Sequence, residues 1–100
     1  MSAQVTYKQW TVVATGTSLA DIIGTAEPKF VANFVVRAKS SNAGSIFWGG
    51  SDVTNVPANA GGEIKPGESV SFDPVSRYLH VGRIFFVGTA ADVAYFTLVS

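Results

Sequence analysis

The stretch Ser45–Asp73, SIFWGGSDVTNVPANAGGEIKPGESVSFD, decides how the chain is organised. It begins with an apolar run, Ile46–Trp48, which stops at two glycines. A polar loop rich in Ser, Asn, Ala and Gly follows, and after it come residues 65–68 (KPGE) and a second strand-like run, Val70–Phe72. Proline followed by glycine at the centre of four residues is typical of a type II turn. The stretch therefore predicts two strands joined by a long surface loop, with a tight turn near the end of that loop.

The polar residues of this stretch suit turns better than catalysis. Paired glycines permit a bulge or a sharp bend after the first strand. An aspartate can brace a loop by accepting hydrogen bonds from nearby backbone N–H groups. We expect Val53 to be the buried anchor of the loop, and we expect Val70 and Phe72 to point inward. The predicted structural turn residues are Gly49, Gly50, Asp52, Pro66 and Gly67.

Strand-like segments lie on both sides of the stretch. Residues 5–15, 83–87 and 93–99 are rich in β-branched and aromatic side chains, which is typical of strands. The first of these has no cleanly apolar face, so we expect it at a sheet edge or in an interface. The run 83–87 is apolar on both faces, which predicts a central strand, and 93–99 is expected to close the domain.

Phe30–Lys39 shows the clearest alternation in the chain, which is typical of a half-buried antiparallel strand. Residues 40–44 (SSNAG) contain the Gly and Asn that hairpin loops favour. They predict a hairpin that returns Ile46–Trp48 as the partner strand. The expected apolar face of the strand Phe30–Lys39 consists of Phe30, Ala32, Phe34, Val36 and Ala38.

Residues 16–28 are too broken by glycine and proline for a long helix. They predict a loop with a short strand or a single turn, capped by Thr17 or Ser18. In this interpretation Leu19, Ile22 and Ile23 plug one end of the core.

The segments together predict about seven or eight short strands with frequent turn signals. This pattern indicates an all-β fold, an antiparallel β-sandwich with a jelly-roll-like arrangement. The length of 100 residues predicts a single domain, residues 1–100, in which Met1–Gln4 form a flexible N-terminal arm.

The composition is unusually poor in charge. Charged residues make up 14% of the chain and the net charge is +0, against about 25% charged residues in an average domain. A net charge near zero favours association, so the composition indicates a surface that meets other protein. A small neutral monomer with a Ser/Thr/Asn surface explains the same numbers.

Several classes of function are disfavoured by what the chain lacks. The sequence has no cysteine, so it can form neither a disulfide nor a thiolate metal site. There is no basic excess for nucleic-acid binding. No apolar run approaches the roughly 18 residues of a membrane span, and the N-terminus does not resemble a signal peptide. We therefore expect no nucleic acid and no membrane among the partners.

Candidate catalytic residues are few. His80 is the only histidine, and Ser76 and Asp73 lie near it in sequence, but no G-x-S-x-G motif is present. The carboxylates do not follow the spacing of a calcium loop. A facing carboxylate pair of the glycosidase type is a question for the structure. The sequence predicts a protein that is not an enzyme, with no catalytic residue, no cofactor and no metal.

The aromatic residues allow two interpretations, a sugar-binding platform or a protein interface. Trp48 ends an apolar run, which places it in the core or at its rim. Simple packing in the domain's own core remains the alternative for the aromatic residues of the first strand. The predicted protein-interface residues are Tyr7, Trp10, Tyr78 and His80.

Three segments of the chain resemble a pattern found in small virion proteins of tailed bacteriophages. Residues 46–54 read IFWGGSDVT, residues 65–72 read KPGESVSF, and residues 84–90 read IFFVGTA. In the family pattern an apolar strand ends in GGSDVT, a variable loop and PGES follow, and a later strand ends near VGTA. The likeness covers roughly residues 30–99, and the apolar residue before PGES is shifted here to Ile64. The residue types in these motifs are typical of turns and not of a catalytic site.

The resemblance implies a non-enzymatic capsid decoration, or cement, protein that binds and stabilises the lattice of the major capsid protein. It also implies a homo-oligomer, a dimer or a trimer, made in the host cytoplasm and located on the capsid surface of the virion. The N-terminal arm and first strand would add to a sheet edge of a partner. A head–tail connector or tail structural protein, and a carbohydrate-binding or host-attachment module, are the alternatives.

Overall fold

The computed structural model describes residues 5–24, 30–31, 33–73, 79–80 and 82–99. Within them the chain forms short strands, one brief α-helix, α1 (Leu19–Ile23), and one 3-10 turn (Pro57–Asn59). The strands are β1 (Val5–Thr11), β2 (Thr17–Ser18), β3 (Phe30–Val31), β4 (Asn33–Ala38), β5 (Ile46–Gly49), β6 (Gly62–Ile64), β7 (Ser69–Phe72), β8 (Leu79–His80), β9 (Phe85–Val87) and β10 (Val93–Val99).

The strands pair in a nested order. β1 pairs with β10, β2 with β9, β3 with β8, β4 with β7 and β5 with β6, all antiparallel. The described chain is therefore one long hairpin, and the loop between β5 and β6 is its tip. The stretch Ser45–Asp73 contains this tip.

Rolling the hairpin gives two sheets. It brings β10 beside β4 and β9 beside β5, again antiparallel. The resulting strand orders are β1-β10-β4-β7, which we call sheet I, and β2-β9-β5-β6, which we call sheet II, with β3 and β8 as a separate ribbon. A long hairpin rolled into two four-stranded sheets is a jelly roll. The predicted all-β, jelly-roll-like sandwich is confirmed.

Inward-facing residues of both sheets form the core. In β4 and β10 every second residue is buried, as the alternation predicts. Phe86 of sheet II lies among the aromatic rings of sheet I, in edge-to-face contact with Phe34 at 6.4 Å and Phe96 at 5.1 Å between ring centroids. Phe72 stacks on Phe34 at 4.6 Å. Such contacts stabilise a core by roughly 0.5–1.5 kcal/mol per pair beyond the burial of area.

The predicted hairpin between Phe30–Lys39 and Ile46–Trp48 is wrong. Residues 40–44 do not form a hairpin, because β4 lies in sheet I and β5 lies in sheet II. Asp92 explains the crossing: its carboxylate accepts hydrogen bonds from the backbone N–H groups of Ala43 and Gly44, at 2.9 and 3.0 Å. Asn42 adds two bonds to the backbone of Val93, one donated and one accepted, both 2.9 Å. These bonds hold the crossing segment against the start of β10.

Two further boundaries differ from the sequence prediction. The run 30–39 is not one strand, since β3 pairs with β8 while β4 pairs with β7 and β10. Between β5 and β7 lies an additional strand, β6, which pairs with β5. Alternation continues from residue 30 to residue 39, so the pattern alone does not reveal where the chain changes its partner strand. β6 has only three residues, which is too short for a clear alternation.

The expectation for residues 17–23 is confirmed. A two-residue strand leads into α1, and the Ser18 hydroxyl caps the helix by accepting from Asp21 N at 3.1 Å. Leu19 and Ile22 are buried in the core, and Ile23 packs against it.

The Trp48 indole lies against the backbone of two glycines at the tip. A Cβ on Gly62 would lie 2.5–2.6 Å from Trp48 Cζ2, Cε2 and Nε1, and one on Gly61 would lie 2.8 Å from Cζ3. Phe72 also packs edge-to-face with this indole, with ring centroids 4.9 Å apart. The indole therefore has little room to move away from an added methyl group.

Gly62→Ala is expected to lower the free energy of unfolding by about 1–3 kcal/mol, because it overpacks this contact. Urea denaturation followed by tryptophan fluorescence measures the change. Gly50→Ala is the matched control, since its Cβ would meet only Asp52 Oδ1 at 3.4 Å. Equal losses in the two variants would contradict the role assigned to Trp48.

Candidate interaction surface

The outer face of sheet II is covered by the chain itself. Phe47 and Val87, which point away from the main core, form a second cluster with Val53. Ala60 and Phe85 pack around this cluster. Val53 is 5% exposed, so its predicted role as the buried anchor of the loop is confirmed. The loop between β5 and β6 thus closes the outer side of sheet II.

No described segment covers the outer face of sheet I. We call this surface the bare face. Its residues alternate along the strands with buried core residues and lie in register across the sheet. They are Val5, Tyr7, Gln9, Thr11, Asn33, Val35, Arg37, Ser69, Ser71, Val93, Tyr95, Thr97 and Val99.

Six of these 13 residues are valine or tyrosine, and one of the 13 is charged. Tyr7 is 77% exposed, Val5 50% and Val35 38%. Arg37 is the one charged residue among the 13, and its guanidinium lies 5.5 Å from the centroid of the Tyr95 ring. Aromatic residues are enriched where proteins meet, so an exposed tyrosine beside exposed valines marks this face as a candidate interaction surface.

Charges at the two ends of the bare face have opposite signs. Beyond Arg37 the exposed Lys39 continues the same side of β4. At the other end the exposed Asp73 follows β7 and, by alternation, lies on the same side as Ser71. Asp73, Asn33 and Val35 are among the residues that line a shallow depression of about 220 Å³ at this corner. The face is therefore positive at one end and negative at the other.

The structure separates the two predicted interface residues of β1. Tyr7 lies on the bare face and is highly exposed, whereas Trp10 is 9% exposed and belongs to the core. The indole of Trp10 contacts Phe96 edge-to-face at 6.2 Å. Trp10 pairs with Ala94, which pairs with Ala38, and these small residues leave room for the indole. The prediction that Trp10 is an interface residue is therefore wrong. Because its indole is buried, Trp10 cannot serve as part of a sugar-binding platform.

The side chains of the two remaining predicted interface residues, Tyr78 and His80, lie outside the described part of the structure. Tyr78 lies outside the described residues, as does Ser76. The backbone of His80 pairs with Phe30 in the ribbon of β3 and β8, but its side chain lies outside the described part of the structure. The predictions for Tyr78 and His80 therefore stay predictions.

Turns are present at Pro66-Gly67 and after Gly50, although Gly49 itself is the last residue of β5. Gly67 has φ +83° and Glu68 N donates to Lys65 O at 2.9 Å, as the predicted type II turn at Pro66-Gly67 requires. Gly50 O accepts from Val53 N at 3.0 Å, which closes a bend after Gly49. Asp52 is exposed and forms no hydrogen bond with the described residues. Among the described residues, Asp92 is an aspartate whose carboxylate does brace a loop, and the loop it braces is the one at Ala43 and Gly44.

The described residues contain no cluster of side chains suited to hold a metal ion. No three His, Cys, Asp or Glu side chains among them lie close enough together to hold a metal ion. None of their buried side-chain N or O atoms lacks a hydrogen-bond partner. Across the same part of the chain, no helix is both long and apolar enough to span a membrane.

Comparison with models of protein families finds no match, and comparison with curated proteins finds none either. A solved structure of Bacillus endospore appendages, described as a novel family of disulfide-linked pili, is similar to this chain with a TM-score of 0.54. The two sequences are 17% identical, and the match covers 98% of this chain and 83% of that chain. At this identity the likeness shows a shared fold.

Tyr7 is the one residue of the bare face that the sequence predicted as an interface residue. Residues 93–99 contain a signal that indicates this face. A strand that buries only one of its faces does not need the apolar residues Val93, Tyr95 and Val99 on its second face. Excess apolar character on both faces indicates a strand covered on both sides. In the described chain β10 is covered on one side only.

Proposed function

We propose that this chain is a non-enzymatic structural subunit that works by packing against other protein. The observation that carries the proposal is the bare face of sheet I. The loop between β5 and β6 covers the outer face of sheet II, whereas no described segment covers the valine and tyrosine side chains on the outer face of sheet I. Burial of apolar area is favourable by roughly 25 cal/mol per Å², so such a face gains free energy when another protein covers it.

The sharper form of the proposal is a capsid decoration protein of a tailed bacteriophage. Its support is the resemblance of the turn motifs and the low charge of the chain. The jelly roll agrees with this role, since viral capsid domains use the fold, but lectins use it as well. In this role the subunit binds the major capsid protein at the outside of the virion and stabilises the lattice by covering seams between capsid subunits.

The fold shared with a pilus protein is compatible with a role in assembly. The disulfide linkage named for that protein is not available to this chain, which contains no cysteine. Any assembly formed by this chain alone is therefore not linked by disulfides, and we propose that non-covalent contacts hold it. Apolar burial is the largest favourable term in such contacts.

Lys8 bears on how the subunit docks. β1 is an edge strand of sheet I, and Lys8 is exposed although it lies on the core side of the strand. An inward-pointing charge on an edge strand discourages the addition of a further strand. Docking through faces and loops is therefore favoured over strand addition at the β1 edge. The N-terminal arm lies outside the described residues.

The decoration role is tested with phage heads that are assembled without this chain. We expect these heads to release their DNA at a lower temperature than complete heads, and we expect added purified protein to restore the higher temperature. Gold-labelled antibody against the chain should mark the heads in electron micrographs. Labels confined to the tail would assign the chain to a connector or tail role, and particles that never contain it would contradict a virion role altogether.

A further inference from the structure

We propose that the bare face is a self-association surface, on which a second copy of this chain packs face to face with its strands in the opposite direction. This inference names an occupant for the bare face and does not depend on the virion role. It is carried by the placement of apolar and charged side chains on sheet I.

Cross-strand rows give the bare face a natural centre. The register places Tyr7 opposite Thr97, Thr97 opposite Val35, and Val35 opposite Ser71. This middle row crosses all four strands of sheet I and contains no charge. Its residues are aromatic, β-branched or small, as suits two sheets that pack face to face.

The charges lie symmetrically about that row. Arg37 lies one row to one side, beside Tyr95 and Ser69. Asn33 pairs with Val99 one row to the other side, and Asp73 follows β7 next to Asn33. A two-fold axis along the middle row exchanges these two ends. In the resulting pair, the positive end of each copy faces the negative end of the other.

Arg37 of each copy then lies above the corner that holds Asn33 and Asp73 of the second copy. The depression of about 220 Å³ at that corner offers space for a guanidinium. Packed sheets are about 10 Å apart, a gap that an arginine side chain spans together with the carboxylate it meets. The symmetry forms this ion pair twice in each dimer.

The alternative orientation is less favourable. Copies packed with parallel strands would place Arg37 and Lys39 near their own equivalents, and like charges that face one another disfavour association. The opposed signs at the ends of the bare face thus select one orientation and favour a second copy over an unrelated surface. Charge complementarity of this kind gives register and specificity more than affinity.

The area of the face limits the strength of the contact. Four strands spaced about 4.8 Å apart and some six residues long give a flat area of roughly 400 Å². Standard stable interfaces bury about 800 Å² per partner. We therefore expect a weak dimer, with a dissociation constant on the order of 100 μM, that depends on protein concentration.

Sedimentation equilibrium of the intact chain over a wide concentration series tests the inference. The wild type should shift from monomer to dimer. Arg37→Glu and Asp73→Arg should each weaken the dimer about five- to tenfold, because each replaces attraction by repulsion at both symmetric pairs. The double variant R37E/D73R restores opposite charges and should return to within about twofold of the wild type.

Arg83→Glu is the matched control, because Arg83 is exposed, precedes β9 of sheet II and carries the same change of charge. It should leave the dimer unchanged. Thermal unfolding of each variant shows that the domain is still folded. A wild type that stays monomeric throughout, or a dimer that responds to R83E as it does to R37E, would overturn the inference. If the wild type stays monomeric, a protein of different sequence is the partner to seek for the bare face.

Cross-linking provides a second readout. The chain has no cysteine, so a single introduced thiol reports one position. Val35 lies in the middle row and faces its own equivalent across the proposed axis, whereas Val56 is exposed at 48% on the loop that covers sheet II. A short bifunctional maleimide should link V35C into dimers at least five times faster than V56C, a ratio equal to about 1 kcal/mol. Equal rates would contradict the proposed packing.

Discussion

Phe86→Ala is expected to lower the free energy of unfolding by about 3–5 kcal/mol, the largest loss of any single change considered for this chain. Phe86 is fully buried, with 0% exposure. Its ring contacts Phe34, Phe72 and Phe96, and so joins sheet II to sheet I. Removing the ring leaves a cavity between the two sheets that their backbones cannot easily close.

The loss is large compared with the whole stability of such a domain, about 5–15 kcal/mol. Urea denaturation followed by circular dichroism measures it, with the slope of the transition as a check that the unfolded state is unchanged. Phe85→Ala is a matched control on the same strand, because Phe85 is only partly buried and packs under the loop on the outer side of sheet II. We expect it to lose about half as much or less. Equal losses would show that the core is not organised around Phe86.

Asp92→Ala is expected to lower the free energy of unfolding by about 3 kcal/mol, because it removes two charge-assisted hydrogen bonds and leaves their donors unsatisfied. Asp92 is 8% exposed, although it is charged. Both of its carboxylate oxygens accept from the segment that crosses between the sheets, from the N–H groups of Ala43 and Gly44. Its backbone carbonyl also accepts from Val12 N at 2.8 Å.

Two further variants separate the carboxylate from its backbone. Asp92→Asn keeps one acceptor oxygen but turns an NH₂ group toward the second N–H donor, so we expect an intermediate loss of about 1–2 kcal/mol. Asp52→Ala removes an exposed carboxylate that has no hydrogen bond within the described residues, and it should change the stability by less than about 0.5 kcal/mol. Amide hydrogen exchange at Ala43 and Gly44 should accelerate in both Asp92 variants. Unchanged exchange would contradict the role given to Asp92.

The crossing segment also bears on the bare face. Residues 42–44 are tied to Asp92 and Val93, at the end of sheet I where Arg37 and Lys39 lie. Loss of the Asp92 contacts loosens the positive end of the face. A weaker dimer in D92A is therefore expected even though Asp92 does not lie on the bare face.

The sequence by itself determined which side chains point inward and where the chain turns. Alternation assigned Phe34, Val36 and Ala38 to the core, and the Pro66-Gly67 pair located a turn that the structure contains. These features are local, because the two-residue period of a strand and the φ of a glycine are decided within a few bonds. The all-β class followed from the same local evidence.

Only the tertiary structure decided which strands are neighbours and which faces remain uncovered. Residues 40–44 look like a hairpin, yet Asp92, about 50 positions away, holds them across the gap between the sheets. Trp10 is buried because Ala94 and Ala38 leave room beside it, and the bare face exists because the loop between β5 and β6 folds over the other sheet. Strand pairing and coverage depend on contacts between residues far apart in the chain, and a local pattern does not encode them.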